Sequence, residues 1–316
     1  MLAASRNSPE DVIDGPIAWL NGAYISSTSA ALPVTDLGLQ GLAVTEMIRT
    51  YDRELFRLRD HLVRLERSLQ LACIDQDIAG LDEICKLIAR RNGSYVADQG
   101  DLGMVVFITA GGNPTYLGSN VPGPSVCVHT FELPLARWST LIRDGLQLRV
   151  SDVRQIPEEC VPAEIKSRSR LHWYLAARGV AKSNAGHAVL LNHDGLITET
   201  PTGNVFAVYG ESVVTPDANV LFGVSRKVVS ELCPVLGLRY EERPIRPEDL
   251  QSADEVFVAS TPTGLLPVTD FNGQPVGNGL PGPVFFELCN AWSELVGIDI
   301  IEQITSAGSR HPGPDA

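Results

Sequence analysis

The sequence predicts a two-domain α+β protein, and three observations carry that expectation. At 316 residues the chain is long enough for two units with cores of their own. Short β-branched or apolar runs and longer amphipathic runs alternate through both halves, without a repeat or a low-complexity block. No Gly-x-Gly-x-x-Gly follows a strand pattern, so a dinucleotide-binding sheet is not indicated.

The elements follow in order. Residues 1–15 are polar and Pro/Gly-rich and are expected to fray. IAWLNGAYI reads as strand, turn and strand, and AVTEMIRTY (43–51) as a strand rich in β-branched and aromatic residues. DHLVRLERSLQLA (60–72) reads as a helix with Asp60 as N-cap. GLDEICKLIARRNG (80–93) reads as a second helix ended by Asn92-Gly93. GMVVFITAGG and SVCVHTFEL look like buried strands. A small N-terminal α/β domain is therefore expected over 1–137, followed by a linker at 138–146. The second domain, 147–304, opens with GLQLRVSDV. AVLLNHDGLITET and NVFAVYGESVVTP read as hairpins, and GVSRKVVSELCPVLG as a helix ending at Gly237. DEVFVAS and LLPVTDFNGQPVG read as strands, the latter turning at Asn272-Gly273. GPVFFELCNAWSELVG closes the domain as a helix, and 305–316 reads as a disordered tail.

Composition narrows the function. A net charge of −13 argues against nucleic acid or an anionic membrane as partner. No apolar run reaches membrane-spanning length, and the N-terminus lacks the continuous apolar core of a signal peptide. The six cysteines form no Cys-x-x-Cys pair and read as reduced thiols of a cytoplasmic protein. The six histidines form no metal-ligating pattern, so no metal site is expected.

Of 25 lysines plus arginines, four are lysine: Lys86, Lys166, Lys182 and Lys227. Where charge alone is needed this chain uses arginine, yet Lys166 stands beside Arg168 and Arg170 in EIKSRSRLHWYLA. A lysine amine can be desolvated and condense with a carbonyl, which a guanidinium cannot do. Pyridoxal phosphate (PLP) is the commonest cofactor bound in this way. It also requires a partner for its pyridine nitrogen and an anion cradle. Glu199 in DGLITETPTGNVF is the candidate partner, although a strand-end glutamate more often faces water. Gly223, Val224 and Ser225 precede a helical run, where backbone N–H groups suit a phosphate. Ser225 reads equally as a plain N-cap. ASTPTG (259–264) adds hydroxyls at a strand end. His61, Arg64 and Ser68 share one polar helix face, and Arg64 could clamp a phosphate or simply meet solvent.

DLGLQGLAVTEMIRTYDRELFRLRDHLVRLERSL, IKSRSRLHWYLA, LITETPTGNVF, LFGVSR and ADEVFVASTPTGLLPV occur in one order. Together they resemble the class IV (fold type IV) PLP aminotransferases over roughly residues 17–300. That family includes branched-chain and D-amino acid aminotransferases, (R)-amine transaminases and 4-amino-4-deoxychorismate lyase. The resemblance implies a small α/β domain, a larger domain with a pseudo-barrel, and at least a homodimer with the site at the domain interface. It implies Lys166 as the Schiff-base lysine and Glu199 at the pyridine nitrogen. It implies Arg64, Val224, Ser225, Ser260 and Thr261 around the phosphate. Gln40 and Thr45 stand where the branched-chain and D-amino acid enzymes usually carry aromatics, and TAGGNPTYLG (109–118) lacks the Arg expected of D-amino acid enzymes. Pro201 replaces a usual small residue. Glu46 is shared with the transaminases rather than the lyases. Gln40, Thr45, Arg49, Arg168 and Pro262 are the candidate substrate contacts, with Arg170 a further carboxylate candidate. The implied activity is transfer of an amino group between an amino acid, branched-chain by default, and a 2-oxo acid. The alternatives are the lyase, a D-amino acid or (R)-amine transaminase, and a non-catalytic PLP-binding protein.

Overall fold

The computed structural model describes residues 13–97, 100–181 and 186–310. The chain divides into two compact units, Met1–Leu133 with Glu164–Arg170, and Pro134–Ala163 with Leu171–Ala316.

In the first unit the strands are β1 (Ile17–Leu20), β2 (Ala23–Ser26), β3 (Ala43–Tyr51), β4 (Glu54–Leu55), β5 (Leu102–Thr109) and β6 (Val126–Glu132). They form an antiparallel sheet in the order β2-β1-β6-β5-β3-β4. The helices are α1 (Leu58–Leu71), α2 (Leu81–Gly93) and the short α3 (Pro114–Leu117). Alternation along β3 sends Val44, Glu46 and Ile48 to one face, in register with Ile108, Val106 and Met104 of β5. That face forms the core with Leu65 and Leu69 of α1 and Leu81, Cys85 and Ile88 of α2. Buried Asn92 ties α2 to the sheet, accepting from Ile17 N and donating to Ile17 O.

α1 begins two residues earlier than expected. Its N-cap is Arg57 in the left-handed region, and Asp60 lies in the first turn, 3.5 Å from Arg57 Nη1. An acid there favours the helix through the dipole rather than as a cap. Residues 166–168 lie past the expected domain boundary, yet they extend the edge of β3. Ser167 bridges Val44, Thr45 N donates to Lys166 O at 2.9 Å, and Arg168 N donates to Ala43 O at 2.9 Å.

In the second unit α4 (Leu135–Asp144) occupies most of the expected linker, and β7 (Leu146–Val150) follows it. Then come α5 (Leu171–Ala181), β8 (His187–Val189), β9 (Asn204–Tyr209), β10 (Ser212–Thr215), α6 (Val224–Val235), β11 (Arg239–Glu242) and α7 (Pro247–Gln251). β12 (Glu255–Ser260), β13 (Gly264–Phe271), β14 (Gln274–Pro275), α8 (Pro283–Val296) and α9 (Ile300–Arg310) complete it. The sheet runs β11-β10-β9-β12-β13-β7-β8, with β14 beside β13. β10/β11, β13/β7 and β7/β8 pair in parallel, and the remaining pairs are antiparallel. β9 and β12 lie at its centre, where Phe206 and Phe257 stack at 4.9 Å. Asn272 and Gly273 both have positive φ, the geometry of the tight turn read from the sequence. The hairpin expected over 188–200 is realised as β8 and an isolated bridge between Leu191 and Ile197.

Two composition-based expectations fail here for one reason. α4 and α9 pack against each other, so neither is a free segment. Ile300 and Ile304 are buried, and a Cβ at Gly308 would lie 2.1 Å from Ser139 Oγ and 2.4 Å from Ser139 Cβ. The part of the expected tail at 305–310 is therefore helix, whereas 1–12 and 311–316 lie outside the described residues. Tyr174 is 59% exposed on α5. Replacing Gly308 by Val should destabilise the protein by about 1–3 kcal/mol through overpacking, measured by denaturant unfolding, whereas a frayed tail would tolerate it within about 0.5 kcal/mol.

Candidate active site

The first unit's candidate residues sit on β3, α1 and the segment paired to β3. Lys166 is half-buried and follows Ile165, which packs on the core. Its backbone is held from two elements: its carbonyl accepts from Thr45 of β3, and its N–H donates to Ser68 Oγ of α1 at 3.1 Å. A side chain on a backbone fixed in this way is pre-organised.

Arg64 projects from the same α1 face as Ser68. Its Nε and Nη2 donate to the two carboxylate oxygens of Glu46, each at 2.8 Å. His61 Nδ1 lies 2.7 Å from Glu46 Oε2. Glu46 and His61 are almost wholly buried and Arg64 is 12% exposed. Burial alone would push the Glu46 carboxyl up; the charge and hydrogen bonds of Arg64, with the His61 hydrogen bond, override it and hold it at about 2. Burial lowers His61 from 6.5 against the pull of Glu46, and the charges of Arg64 and Lys166 lower it further. His61 is therefore neutral. Because ionised Glu46 can only accept, the His61 proton sits on Nδ1. Lys166 lies close enough to be felt electrostatically by this cluster.

The second unit's candidates surround Glu199. This carboxylate is 7% exposed. It accepts from Gln155 Nε2 at 3.2 Å, Asn204 Nδ2 at 3.4 Å and Leu221 N at 3.2 Å. α6 starts at Val224 with Gly223 as N-cap and no side-chain cap. Ser225 is thus a buried residue of the first turn, not the cap. The leading N–H groups of a helix have no intrahelical acceptor, and here no side chain takes their place. Ser260 ends β12, and its hydroxyl is 2.7 Å from that of Thr263. Thr261 and Pro262 form the turn that follows.

The substrate candidates divide. Thr45 is half-buried on β3, its hydroxyl donating to Val106 O and accepting from Arg168 Nη1 at 3.3 Å. Arg168 also lies 5.0 Å from the Phe107 ring centre. Gln40 is exposed at the end of the 3-10 turn Leu37–Gln40. Arg49 is corrected outright. It is 1% exposed, stacks 3.8 Å from the Tyr51 ring centre, donates to Thr50 O and pairs with buried Asp101 at 3.6 Å. It braces the sheet, buried where a substrate contact was expected. Sequence reading assigned no role to His61, Ser68, Gln155 or Asn204. The shared face of His61, Arg64 and Ser68 was the available signal; Gln155 carried none, because it reaches Glu199 through the fold.

The residues fit a PLP-type cofactor. An uncapped helix start preceded by a glycine suits a phosphate, and a buried carboxylate held by neutral donors suits a pyridinium. The Gly223 position supports this cradle: a Cβ there would lie 2.3 Å from Asn204 Oδ1.

Residues 43–271 match the family model for amino-transferase class IV. The chain belongs to the class IV aminotransferase family. A D-alanine aminotransferase of Bacillus licheniformis is 30% identical, covering 84% of this chain and 91% of its own. The crystal structure of the Escherichia coli branched-chain amino acid aminotransferase matches with a TM-score of 0.80 at 26% identity, over 89% of this chain and 95% of that one. A T.th. branched-chain amino acid aminotransferase, solved with pyridoxamine 5'-phosphate, matches with a TM-score of 0.78 at 25% identity, over 93% and 96%.

Acid stability should report the buried cluster. Glu46 is depressed on folding from 4.5 to about 2, so its contribution is present above pH 4.5 and lost as pH falls toward 2. That shift corresponds to roughly 3 kcal/mol. His61 is also depressed, so unfolded chains bind its proton first and stability begins to fall below pH 6.5. Glu46→Gln should remove the lower part of this profile and cost roughly 3–5 kcal/mol at neutral pH, by removing the charge that faces the mostly buried Arg64 guanidinium. Urea unfolding between pH 2 and 7 checks both; parallel profiles for parent and variant would contradict the assignment.

Proposed function

We propose that this class IV aminotransferase moves an amino group between a branched-chain amino acid and a 2-oxo acid, with pyridoxal 5'-phosphate as cofactor. The observation that carries the reading is the placement of Lys166, whose backbone is pinned by both β3 and α1 beside a buried charged cluster. The pyridoxamine phosphate named for the T.th. structure supports the cofactor.

When bound, the cofactor supplies an electron sink for charge developing at the substrate α-carbon. Lys166 Nζ is the amine that holds it and the base that moves the α-proton. Glu199, held by Gln155, Asn204 and the Leu221 N–H, would keep a proton on the pyridine nitrogen. Val224 and Ser225 N–H groups, with Ser260 and Thr261, would hold the phosphate, and the family resemblance adds Arg64 as a phosphate ligand. Glu46 and His61 orient Arg64 by fixing one edge of its guanidinium. Pro262 lies in the turn beside Thr261 and borders the substrate.

Arg168 is the substrate-carboxylate ligand in this reading. Among the described residues it has no acidic partner, and Thr45 and Phe107 hold its guanidinium. A guanidinium without a carboxylate, in a chain of net charge −13, suits an anionic substrate group. Gln40, exposed at the 3-10 turn, is a peripheral contact. A D-amino acid donor is the second reading, favoured by the 30% identity to a D-alanine aminotransferase. All six cysteines are free, which supports a cytoplasmic setting. Leu171, Tyr174 and Leu175 form an exposed apolar stripe on α5, which supports a homodimer.

The test is the absorption spectrum of the PLP-loaded protein before and after L-leucine, L-isoleucine, D-alanine and other donors. Bleaching of the cofactor band by branched-chain L-donors is expected; bleaching by D-alanine alone would favour the second reading, and none with any donor would overturn transamination. Lys166→Ala should lower turnover by at least about a thousandfold. Arg168→Met should raise KM about tenfold for mono- and dicarboxylic 2-oxo acids alike, since both carry the carboxylate it binds, and steady-state kinetics with unchanged KM values would contradict the assignment.

A further inference from the structure

Asn204 opens β9 and is 4% exposed. Its Nδ2 donates to Leu221 O at 2.9 Å and to Glu199 Oε2 at 3.4 Å. The Leu221 N–H donates to the same Oε2 at 3.2 Å. The backbones of Glu199 and Asn204 also form an isolated antiparallel bridge. One amide thus closes a small network of three segments: the strand end carrying Glu199, the start of β9, and the loop that enters α6.

The other atom of the amide faces the helix. A Cβ on Gly223 would lie 2.3 Å from Asn204 Oδ1, whereas its next neighbours, Asn204 Cγ and Arg226 Cβ, would stand at ordinary contact distances of 3.5 and 3.6 Å. Gly223 has φ −67° and ψ 141°, a conformation open to any residue. Glycine is required at this N-cap by the approach of Asn204, not by the backbone.

A cofactor of the pyridoxal phosphate type joins its ring nitrogen and phosphate through a short covalent linker that confines their separation to a narrow range. A protein that grips both ends must hold its two grips at a matching separation, and loosely tied grips lose affinity at each end. On the functional reading above, we propose that Asn204 is a positioning residue that ties Glu199 to the start of α6, so that the carboxylate for the pyridine nitrogen and the helix end for the phosphate move as one element. It acts through Glu199 and through the 221–223 backbone, not by touching the cofactor. Gln155 is a lesser brace, reaching Glu199 Oε1 and Asn219 O but not the helix start.

The experiment compares affinities of the full-length protein for PLP and for pyridoxal, which lacks the phosphate. Heat denaturation of each cofactor-free variant establishes that it is folded. Asn204→Ala should weaken PLP about tenfold, the loss of two hydrogen bonds at a buried site, and should weaken pyridoxal as well because Glu199 is released. Gly223→Ala should weaken PLP about tenfold in the parent, but less than about twofold in the Asn204→Ala background, where the obstructing oxygen is gone. Should Asn204→Ala not fold, the isosteric Asn204→Asp carries the test. It preserves packing, removes the donor and sets a like charge beside Glu199, and it should weaken PLP at least as much. Folded Asn204 variants that bind PLP and pyridoxal as the parent does would overturn the inference, as would equal Gly223→Ala effects in both backgrounds. Failure of the parent to bind PLP would overturn the functional reading and this inference together.

Discussion

A carboxylate on the core face of β3 sets the terms for the first unit. Glu46 occupies a position where alternation demands an apolar side chain, flanked by Val44 and Ile48. An isolated carboxylate there would be costly enough to stay protonated. It remains ionised because α1 supplies a bidentate guanidinium and an imidazole N–H from one helix face. The same interaction fixes the position of α1 over the sheet, and with it Ser68, which holds the backbone of Lys166. Buried charge, helix placement and the candidate catalytic lysine are thus one connected problem in this unit.

The second unit solves a related problem with neutral groups. Glu199 is buried among an amide from each of Gln155 and Asn204 and the Leu221 N–H, all donors without charge. Such a shell satisfies a buried carboxylate's lone pairs with hydrogen-bond donors drawn from three separate segments. Arg64, by contrast, already shares two of its donors with Glu46. The two buried carboxylates differ in their partners, a guanidinium and an imidazole for Glu46 and amide N–H groups for Glu199.

Cationic side chains divide in the same way. Arg49 and Arg168 both follow from the sequence as possible carboxylate ligands, since an arginine in a strand and one after the lysine look alike on paper. Arg49 is enclosed by Asp101, Thr50 and Tyr51, whereas Arg168 rests on a hydroxyl and a ring, without an acid among the described residues. Residues far apart in sequence made that distinction; Asp101 is 52 positions from Arg49 but joins it across the β3/β5 pair.

What the sequence by itself determined was local. Richness in β-branched and aromatic residues marked β3, Asn272-Gly273 marked the turn after β13, and the rarity of lysine drew attention to Lys166; each is visible within a short stretch of sequence or in composition. The ordered motifs also carried the family. Tertiary structure decided everything that required a distant partner. It made a helix of the expected linker because α9 covers α4, assigned the 164–170 segment to the first unit because the edge of β3 was open to pair, and set Asn204 between Glu199 and Gly223. Composition and spacing record what a residue prefers locally, but a buried carboxylate, an unpaired edge or a close approach to a glycine is defined by the atoms across from it, which packing alone brings there.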